Sequence, residues 1–285
     1  MHARAEPLRP ESPPPAGSRA ARSELLGLEY DRIGMDEAVA RCLEWCEGPR
    51  ASHTVITANA SIVCLMRRDA ELARACRAGD LVLADGMSVV WAGGWSGVAF
   101  PERVAGVDLM GRLLAAGAER KLSVYFLGAK PEVVKKLAEL CATRYPGLTV
   151  AGWRDGYFKP SDHEAIAEDI RARAPHMLFV GMPSPFKETW CERFRTRLEV
   201  PVIMGVGGSF DVHAGYIQRA PRIFQRLGLE WSWRLLMEPR KMWKRYLTTN
   251  SEFLWLALRE AVARRRAGPE GRGADVDPTP PPPGA

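Results

Sequence analysis

The sequence predicts an α/β fold: a mostly parallel sheet with helices on both faces, followed by a C-terminal helical appendage. Three observations support this prediction. Short apolar runs alternate with helical patterns through the first 215 residues, as in proteins with a buried parallel sheet. Most of these runs end in glycine, threonine or aspartate, which suit the turns at strand ends. From Tyr216 onward the alternation stops, and aromatic residues interleave with lysine and arginine.

The composition is that of a globular protein, with 46% hydrophobic and 26% charged residues. A chain of 285 residues is long enough for one large or two small domains. The net charge of +6 is unevenly distributed, because residues 219–266 contain twelve Lys or Arg and only four Glu. A local basic block favours an anionic surface, a diphosphate or a nucleic acid as the partner.

Both ends of the chain lack apolar periodicity. Residues 1–22 and 267–285 are rich in proline, with alanine and arginine or with glycine, so both are predicted to be disordered tails. We recognise no hydrophobic signal peptide and no apolar run of the roughly 18–20 residues that a membrane span needs. The six cysteines form no CxxC pair, which predicts reduced core residues of a cytoplasmic protein and argues against zinc.

The predicted strands are short, apolar and rich in β-branched residues, as expected for strands buried on both faces. They are His53–Thr57, Leu81–Ala84, Ser123–Leu127, Leu148–Gly152, Met177–Val180 and Pro201–Val206. The predicted helices have apolar residues at three- and four-residue spacing. They are Met35–Cys46, Ala60–Arg67, Glu71–Arg77, one starting near Met87, Val107–Glu119, Lys130–Tyr145, Ser161–Arg173 and Pro185–Leu198.

Two helix starts carry local signals. A proline lies in the first turn of the helix at Lys130, where proline is tolerated, and Ser161 is the expected cap of its helix. These elements assign the α/β unit to residues 23–215. Together the alternating strands and helices indicate a Rossmann-like, doubly covered sheet.

The stretch 216–266 is predicted to form a set of short amphipathic helices, because Pro221 and Pro239 punctuate it. Its Trp and Tyr residues beside Lys and Arg suit a membrane interface. The alternative is a helical lid packed on the sheet, with tryptophan in the core and arginine in solvent. The sequence leaves both interpretations open, and it also leaves homo-oligomerisation open.

Chemistry is expected where the strands end. Asp85-Gly86 follows the apolar run Leu81–Ala84 and places a carboxylate at the carboxyl edge of the sheet, where open α/β folds bind ligands. With Arg103 about twenty residues on, this suits a hydroxyl that loses its proton beside a charged leaving group. The alternative is that Asp85 only caps the helix starting near Met87.

Glycines at the other strand ends let backbone N–H groups approach a diphosphate closely. No full GxGxxG or Walker loop is recognised, so NAD and ATP are disfavoured. Seven segments, in this order and spacing, then carry a resemblance. They are Thr57-Ala-Asn59-Ala, Ala84-Asp85-Gly86, Glu102-Arg103-Val-Ala-Gly106-Val-Asp108, Phe126-Leu-Gly128, Asp155-Gly-Tyr157-Phe158, Gly205-Val-Gly-Gly-Ser-Phe-Asp211 and Leu229-Glu-Trp231…Arg234-Leu…Glu238-Pro239.

From about Leu25 to about Tyr246 the chain resembles the WecG/TagA/CpsF family of bacterial glycosyltransferases. The resemblance implies an inverting, metal-independent enzyme without a cofactor. It would move an N-acetylmannosamine-type sugar from a UDP-sugar to a polyprenyl-diphosphate-linked sugar in cell-surface polysaccharide biosynthesis. It also implies a peripheral position on the inner face of the cytoplasmic membrane.

The resemblance also implies roles for individual residues. Asp85 matches the proposed general base, with Thr57 and Asn59 beside it in the catalytic pocket. Donor binding is expected from Gly128, Tyr157, Lys187, Gly205, Gly207 and Asp211. Acceptor or diphosphate binding is expected from Arg103, Arg234, Lys241 and Lys244, the last two being lysines that keep the charge without a bidentate fork. No residue is assigned to a metal.

Lys187 departs from the family pattern, which often has glutamine there. A cation at this position could pair with a carboxylate or phosphate, and the alternative is a solvent-facing helix start. Two other functions stay open from the sequence. One is a non-catalytic, nucleotide-binding component of a membrane-associated polysaccharide assembly complex. The other, a nucleic-acid-binding protein, is disfavoured because the aromatic residues follow no RRM or OB strand pattern.

Overall fold

The computed structural model describes residues 21–221, 224, 230–237 and 239–266, without the side chains of 231, 234, 235, 237 and 239–248. Its centre is a six-stranded parallel sheet with helices on both faces, which confirms the predicted α/β fold. Apart from residues 21 and 22, the predicted tails 1–22 and 267–285 lie outside the described residues. No described helix is long and apolar enough to cross a bilayer.

The strands are β1 (Arg22–Leu25), β2 (Leu28–Asp31), β3 (His53–Ala58), β4 (Leu81–Ala84), β5 (Ser123–Gly128), β6 (Thr149–Arg154), β7 (Met177–Gly181) and β8 (Val202–Gly205). The large sheet has the order β4-β3-β8-β7-β5-β6. All of its neighbouring strands are parallel, so their carboxyl ends meet at one edge.

The helices are α1 (Met35–Glu47), α2 (Ala60–Met66), α3 (Ala70–Arg77), α4 (Met87–Trp95), α5 (Gly106–Glu119), α6 (Pro131–Arg144), α7 (His163–Arg173), α8 (Phe186–Leu198), α9 (Ser209–His213), α10 (Glu230–Met237) and α11 (Pro239–Arg266). The elements predicted between residues 35 and 206 all exist, and most bounds agree within one or two residues.

Strand residues alternate between two apolar layers. In β7, Met177 and Phe179 join the core beneath α1, α5 and α6, whereas Leu178 and Val180 join the core beneath α7 and α8. All four side chains are fully buried. Because both faces of the strand are covered, its sequence is a continuous apolar run rather than an alternating one. These continuous apolar runs made it possible to predict the strands from the sequence. The six cysteines are also buried, as predicted.

The N-terminal hairpin was not predicted. Arg22, assigned to the disordered tail, is instead the first residue of β1, which pairs with β2 in a separate two-stranded sheet. Leu26 and Gly27 form the two-residue turn, with φ values of 55° and 80°, as tight hairpins require. Asp31, which is 1% exposed, accepts hydrogen bonds from Arg22 and from the amide of Val82 in β4.

The prediction that Ser161 caps its helix was wrong. Pro160–Asp162 form a single 3-10 turn, and α7 begins at His163 with Asp162 at the cap position. The hydroxyl of Ser161 contacts the carboxylate of Asp162 at 3.2 Å, and the same carboxylate accepts from the Lys159 amide. Proline at the start of the turn fixes the tighter geometry one turn before the α-helix.

The appendage differs from the predicted set of short helices, because α11 is a single helix of 28 residues. Proline is tolerated in a first helical turn, so Pro239 begins this helix rather than breaking it. On its inner side Phe253, Leu256 and Ala257 are buried in the same core as residues of α2 and α4. The appendage is therefore part of the hydrophobic core, as a packed lid requires, whereas Trp255 is 57% exposed.

Candidate active site

The carboxyl edge of the sheet brings polar side chains from β3, β4 and the loop before α5 into one region. Asp85 follows β4, and its main-chain amide donates to the carbonyl of Ala58 at the end of β3. The side chain is half-buried. Gly86 is the cap residue of α4 and no side-chain hydrogen bond caps this helix. The N-cap position expected for Asp85 is thus taken by Gly86, whereas the catalytic role of Asp85 stays a prediction.

Thr57 lies near the end of β3, the strand that pairs with β4, and Asn59 directly follows β3. Thr57 is 7% exposed and faces the start of α5, where a Cβ on Gly106 would lie only 2.9 Å from its hydroxyl oxygen. Asn59 caps α2, because its side-chain oxygen accepts from the amides of Ser61 and Ile62 at 3.0 and 3.2 Å. Capping α2 is a structural role of Asn59 that was not predicted from the sequence. The cap uses only the side-chain oxygen of Asn59 and not its amide nitrogen.

Arg103 lies on the loop between α4 and α5, beside the end of β4. The next residue, Val104, donates its amide hydrogen to the carbonyl of Ala84 at 3.0 Å, so this loop runs alongside the strand end that leads to Asp85. The Arg103 side chain is 14% exposed. Its Nη1 donates to Oε2 of Glu230 at 2.5 Å, and its Nη2 lies 3.8 Å from Oδ2 of Asp108.

A second arginine completes this group. Arg219 binds both carboxylate oxygens of Asp108, at 2.5 and 2.6 Å, and its Nη2 also contacts Oε1 of Glu230 at 3.5 Å. We call Arg103, Asp108, Arg219 and Glu230 the Arg103 cluster. Sequence reasoning assigned no role to Arg219 or Glu230, because both lay in a stretch that was interpreted by its overall charge. The sequence did contain a signal for such a pairing, because Glu230 is an acid within a stretch rich in lysine and arginine.

Lys187 is buried beneath the end of β8 rather than facing solvent. It is 8% exposed, and its stem packs against Gly205, where a Cβ would lie 3.0 Å from the lysine Cδ. Its ammonium pairs with Glu188, which also accepts from Ser184 at 2.9 Å. The interpretation as a solvent-facing helix start is therefore wrong. Burial lowers the pKa of the Lys187 ammonium, and the nearby carboxylate of Asp85 acts in the opposite direction.

The buried pair borders a small cavity between β3, β8 and α8. The cavity has a volume of about 10 Å³ and is lined by Thr57, Lys187 and Glu188, among other residues, which is close to the space that one water needs. Oε2 of Glu188 is buried and has no hydrogen-bond partner among the residues that the structure describes. The carboxylate of Glu188 thus neutralises the ammonium of Lys187, the residue that was expected to bind the sugar donor.

The remaining candidate donor residues lie further along the edge. Gly128 has φ of 123°, and a Cβ there would lie 2.6 Å from the main chain of Gly181, so only glycine fits. Gly207 also has positive φ, 53°. Asp211 is half-buried in the short helix α9. Tyr157 is 73% exposed and follows the border strand β6.

The structure therefore gathers some candidates and separates others. Asp85 and Thr57 lie at the ends of β4 and β3, and Lys187 of α8 lies close to both. Tyr157 follows the opposite border of the sheet, five strand spacings of about 4.8 Å from β4. The side chains of Arg234, Lys241 and Lys244 lie outside the described residues, although their backbones belong to α10 and α11. No described group of three His, Cys, Asp or Glu residues could hold a metal ion.

Comparison with known proteins identifies the family of this chain. The model of the glycosyl transferase WecG/TagA/CpsF family matches residues 23–267. The chain is 35% identical over 194 residues to the N-acetylglucosaminyldiphosphoundecaprenol N-acetyl-beta-D-mannosaminyltransferase of Bacillus spizizenii, covering 68% of this chain and 74% of that protein. It is 32% identical over 194 residues to the protein of the same name from Bacillus subtilis, covering 68% and 75%. The chain therefore belongs to the WecG/TagA/CpsF family of glycosyl transferases.

Proposed function

We propose that this glycosyltransferase moves an N-acetylmannosamine-type sugar from a UDP-sugar to a polyprenyl-diphosphate-linked acceptor, with inversion and without a metal. The observation that carries the proposal is the half-buried carboxylate of Asp85 at the carboxyl edge of the sheet, beside Thr57 and the Arg103 loop. The relatives from the two Bacillus species are named for the same class of transfer to N-acetylglucosaminyldiphosphoundecaprenol.

In the proposed reaction, Asp85 accepts the proton of the acceptor hydroxyl while that oxygen attacks the anomeric carbon of the donor sugar. The bond between this carbon and the diphosphate oxygen breaks, and UDP leaves with the bonding electron pair. A single displacement inverts the anomeric centre and needs one base and no covalent intermediate. The half-buried environment keeps Asp85 accessible to an alcohol while excluding part of the water that would compete with it.

Negative charge that develops on the leaving diphosphate needs stabilisation. Arg103 lies on the loop beside the strand end that precedes Asp85, and we propose that it supplies part of this stabilisation. Arg234, Lys241 and Lys244 are proposed to supply further charge from the appendage. Gly207, which follows β8, is proposed to let the backbone approach the diphosphate closely, and Gly205 at the end of β8 leaves room for the Lys187 stem. We propose that these cations and backbone amides stabilise the leaving diphosphate, as a metal ion does in other transferases.

The outer face of α11 supports a peripheral position on the inner face of the cytoplasmic membrane. Trp255, Leu258 and Val262 follow one another at spacings of three and four residues and are 57%, 52% and 46% exposed. The Arg259 guanidinium lies 5.3 Å from the Trp255 ring centre. An apolar stripe flanked by arginine matches the boundary between acyl chains and anionic headgroups.

The test is a transfer assay with a panel of UDP-sugars and a short-chain prenyl-diphosphate-linked N-acetylglucosamine acceptor, in the presence of EDTA. We expect transfer from UDP-N-acetylmannosamine, undiminished by EDTA, with NMR showing an inverted anomeric configuration in the product. UDP binding without transfer from any donor would instead favour the non-catalytic assembly component. Loss of transfer in EDTA, or retention of configuration, would refute the corresponding part of the mechanism.

A further inference from the structure

The carboxylate of Glu230 bridges two guanidinium groups. Its Oε2 accepts from Arg103 at 2.5 Å, and its Oε1 accepts from Arg219 at 3.5 Å. Two arginines that share the oxygens of one anion form the arrangement that proteins use to hold phosphate groups. A phosphate group that bound both side chains would therefore compete with Glu230 for the same guanidinium donors.

The other acid of the Arg103 cluster has a different role. Asp108 lies in the first turn of α5, where the helix dipole favours a negative charge. It is held by both nitrogens of the Arg219 fork, at 2.5 and 2.6 Å. These contacts fix Arg219 against the α/β unit. Asp108 is thus the anchored partner, whereas Glu230 reaches the arginines from the appendage helix α10.

The charges of the four side chains balance in this state. Arg103 and Glu230 are only 14% and 25% exposed, so solvent screens their interaction incompletely. A diphosphate bound at Arg103 would be repelled by the negative charge of Glu230, because the two anions would lie close together. Arg103 cannot satisfy Glu230 and a diphosphate with the same Nη1 donor.

We propose that Arg103 and Arg219 form a two-guanidinium site for a diphosphate, and that Glu230 is the internal anion that this diphosphate displaces. The inference rests on the proposed function, because both proposed substrates carry a diphosphate. It adds Arg219 to the site and gives Glu230 the role of a competing occupant. Since Glu230 begins α10, its displacement also removes a contact between this helix and the α/β unit.

The test is calorimetric titration of the full chain with inorganic pyrophosphate and, separately, with UDP. Glu230→Gln keeps the side-chain shape and removes the competing charge, so pyrophosphate should bind about fivefold more tightly. Arg219→Gln should bind it about tenfold more weakly. Arg219→Lys should fall between wild type and Arg219→Gln, because lysine keeps the charge but not the fork.

Glu252→Gln is the matched control, because it removes the ion pair at 2.6 Å between Arg68 and Glu252, which also fastens the appendage to the α/β unit. Its pyrophosphate affinity should stay that of the wild type. Glu230→Asp is a second variant whose shorter carboxylate cannot span both arginines, so its affinity should also rise. Unchanged or weaker pyrophosphate binding in both Glu230 variants would overturn the inference, as would tighter binding in Glu252→Gln.

The two proposals fail separately. If pyrophosphate binding follows the expected order of variants but no sugar is transferred, the guanidinium site stands and the proposed function fails. If wild type transfers sugar but neither Glu230 variant gains affinity, the proposed function stands and the inference fails. Circular dichroism and thermal unfolding of each variant establish that the protein titrated is folded.

Discussion

The main-chain amide of Val104 donates a hydrogen bond to the carbonyl oxygen of Ala84 at 3.0 Å. Ala84 ends β4 and precedes Asp85, and Val104 follows Arg103. This single bond fastens the loop that carries the proposed cation to the strand that carries the proposed base. Asp85 and Arg103 are about twenty residues apart in sequence, but the backbone segments that carry them are hydrogen-bonded neighbours.

Asp85→Asn should abolish transfer while leaving UDP binding intact. The amide keeps the shape of the carboxylate but cannot accept the hydroxyl proton, and loss of a general base costs about 10²- to 10⁴-fold in kcat. Steady-state kinetics and UDP calorimetry measure the two effects separately. Asp36→Asn is the control, because Asp36 is an exposed surface residue paired with Arg112. Near-normal turnover by Asp85→Asn would disprove the assigned role.

Gly128→Ala should destabilise the protein by about 3 kcal/mol or more, because the new Cβ combines a positive φ with a main-chain clash. The Cβ would lie 2.6 Å from atoms of Gly181. Gly94→Ala is the contrasting variant, since Gly94 lies in α4 and a Cβ there would have no neighbour within 4 Å. It should be stabilising by about 0.5–1 kcal/mol. Urea unfolding compares the variants, and equal midpoints would contradict this prediction.

Lys187→Met should destabilise the protein by about 3–5 kcal/mol, because it leaves the buried carboxylate of Glu188 without its cation. The double variant Lys187→Met/Glu188→Gln should recover most of this loss, since no unpaired charge remains. Removing the exposed pair of Arg197 and Glu164, each about half exposed, should cost at most about 1 kcal/mol. Chemical denaturation measures all three, and additive effects of the two buried substitutions would argue against pairing.

His213 should make stability depend on pH. Burial lowers the pKa of its imidazole below 6.5, with smaller contributions from Arg144 and Arg219 in the same direction, while a hydrogen bond to the Val107 carbonyl and Asp108 oppose the shift. The unfolded chain therefore binds a proton at a higher pH than the folded chain does. Stability should be full above pH 6.5 and fall as the pH drops through the folded-state pKa.

Urea midpoints between about pH 5 and pH 8 test this prediction. His213→Gln should lose less stability than the wild type over the acidic part of the range, because its side chain binds no proton. Parallel curves for the two proteins would show that the imidazole does not contribute to the pH dependence.

Trp255→Ala should weaken binding to vesicles that contain phosphatidylglycerol by about fivefold or more, since it removes an aromatic side chain from the proposed membrane face. Trp153→Ala is the control, because this tryptophan is 42% exposed on the border strand β6. Vesicle sedimentation measures both. Equal binding by the two variants would place the membrane contact elsewhere.

The sequence was sufficient for the large sheet because its strands are apolar on both faces. Residues such as Leu178 and Phe179 are buried in opposite layers, and no charge interrupts the run. The position of Asp85 after a strand could be anticipated for a related reason, because the apolar run stops at an acid there. Local patterns of this kind need no knowledge of distant partners.

Features set by tertiary partners were missed. The hairpin strands have only four residues each, and Asp31 is buried because it accepts from Val82, fifty-one positions away. Glu230 pairs with Arg103 across 127 positions. Lys187 was expected to face a ligand or solvent, and its partner is its own neighbour Glu188 inside the protein. No periodicity or composition encodes such pairings.

The docking of α11 has a consequence for biosynthesis. Phe253, Leu256 and Ala257 complete the apolar layer that α2 and α4 begin, and ribosomes deliver these residues after the entire α/β unit. Until then the nascent chain exposes apolar side chains of α2 and α4 to solvent. Exposed apolar surface of this kind invites chaperone binding or premature association. A chain truncated after residue 215 would lack Phe253, Leu256 and Ala257, so we expect it to leave the apolar side chains of α2 and α4 that they cover exposed to solvent.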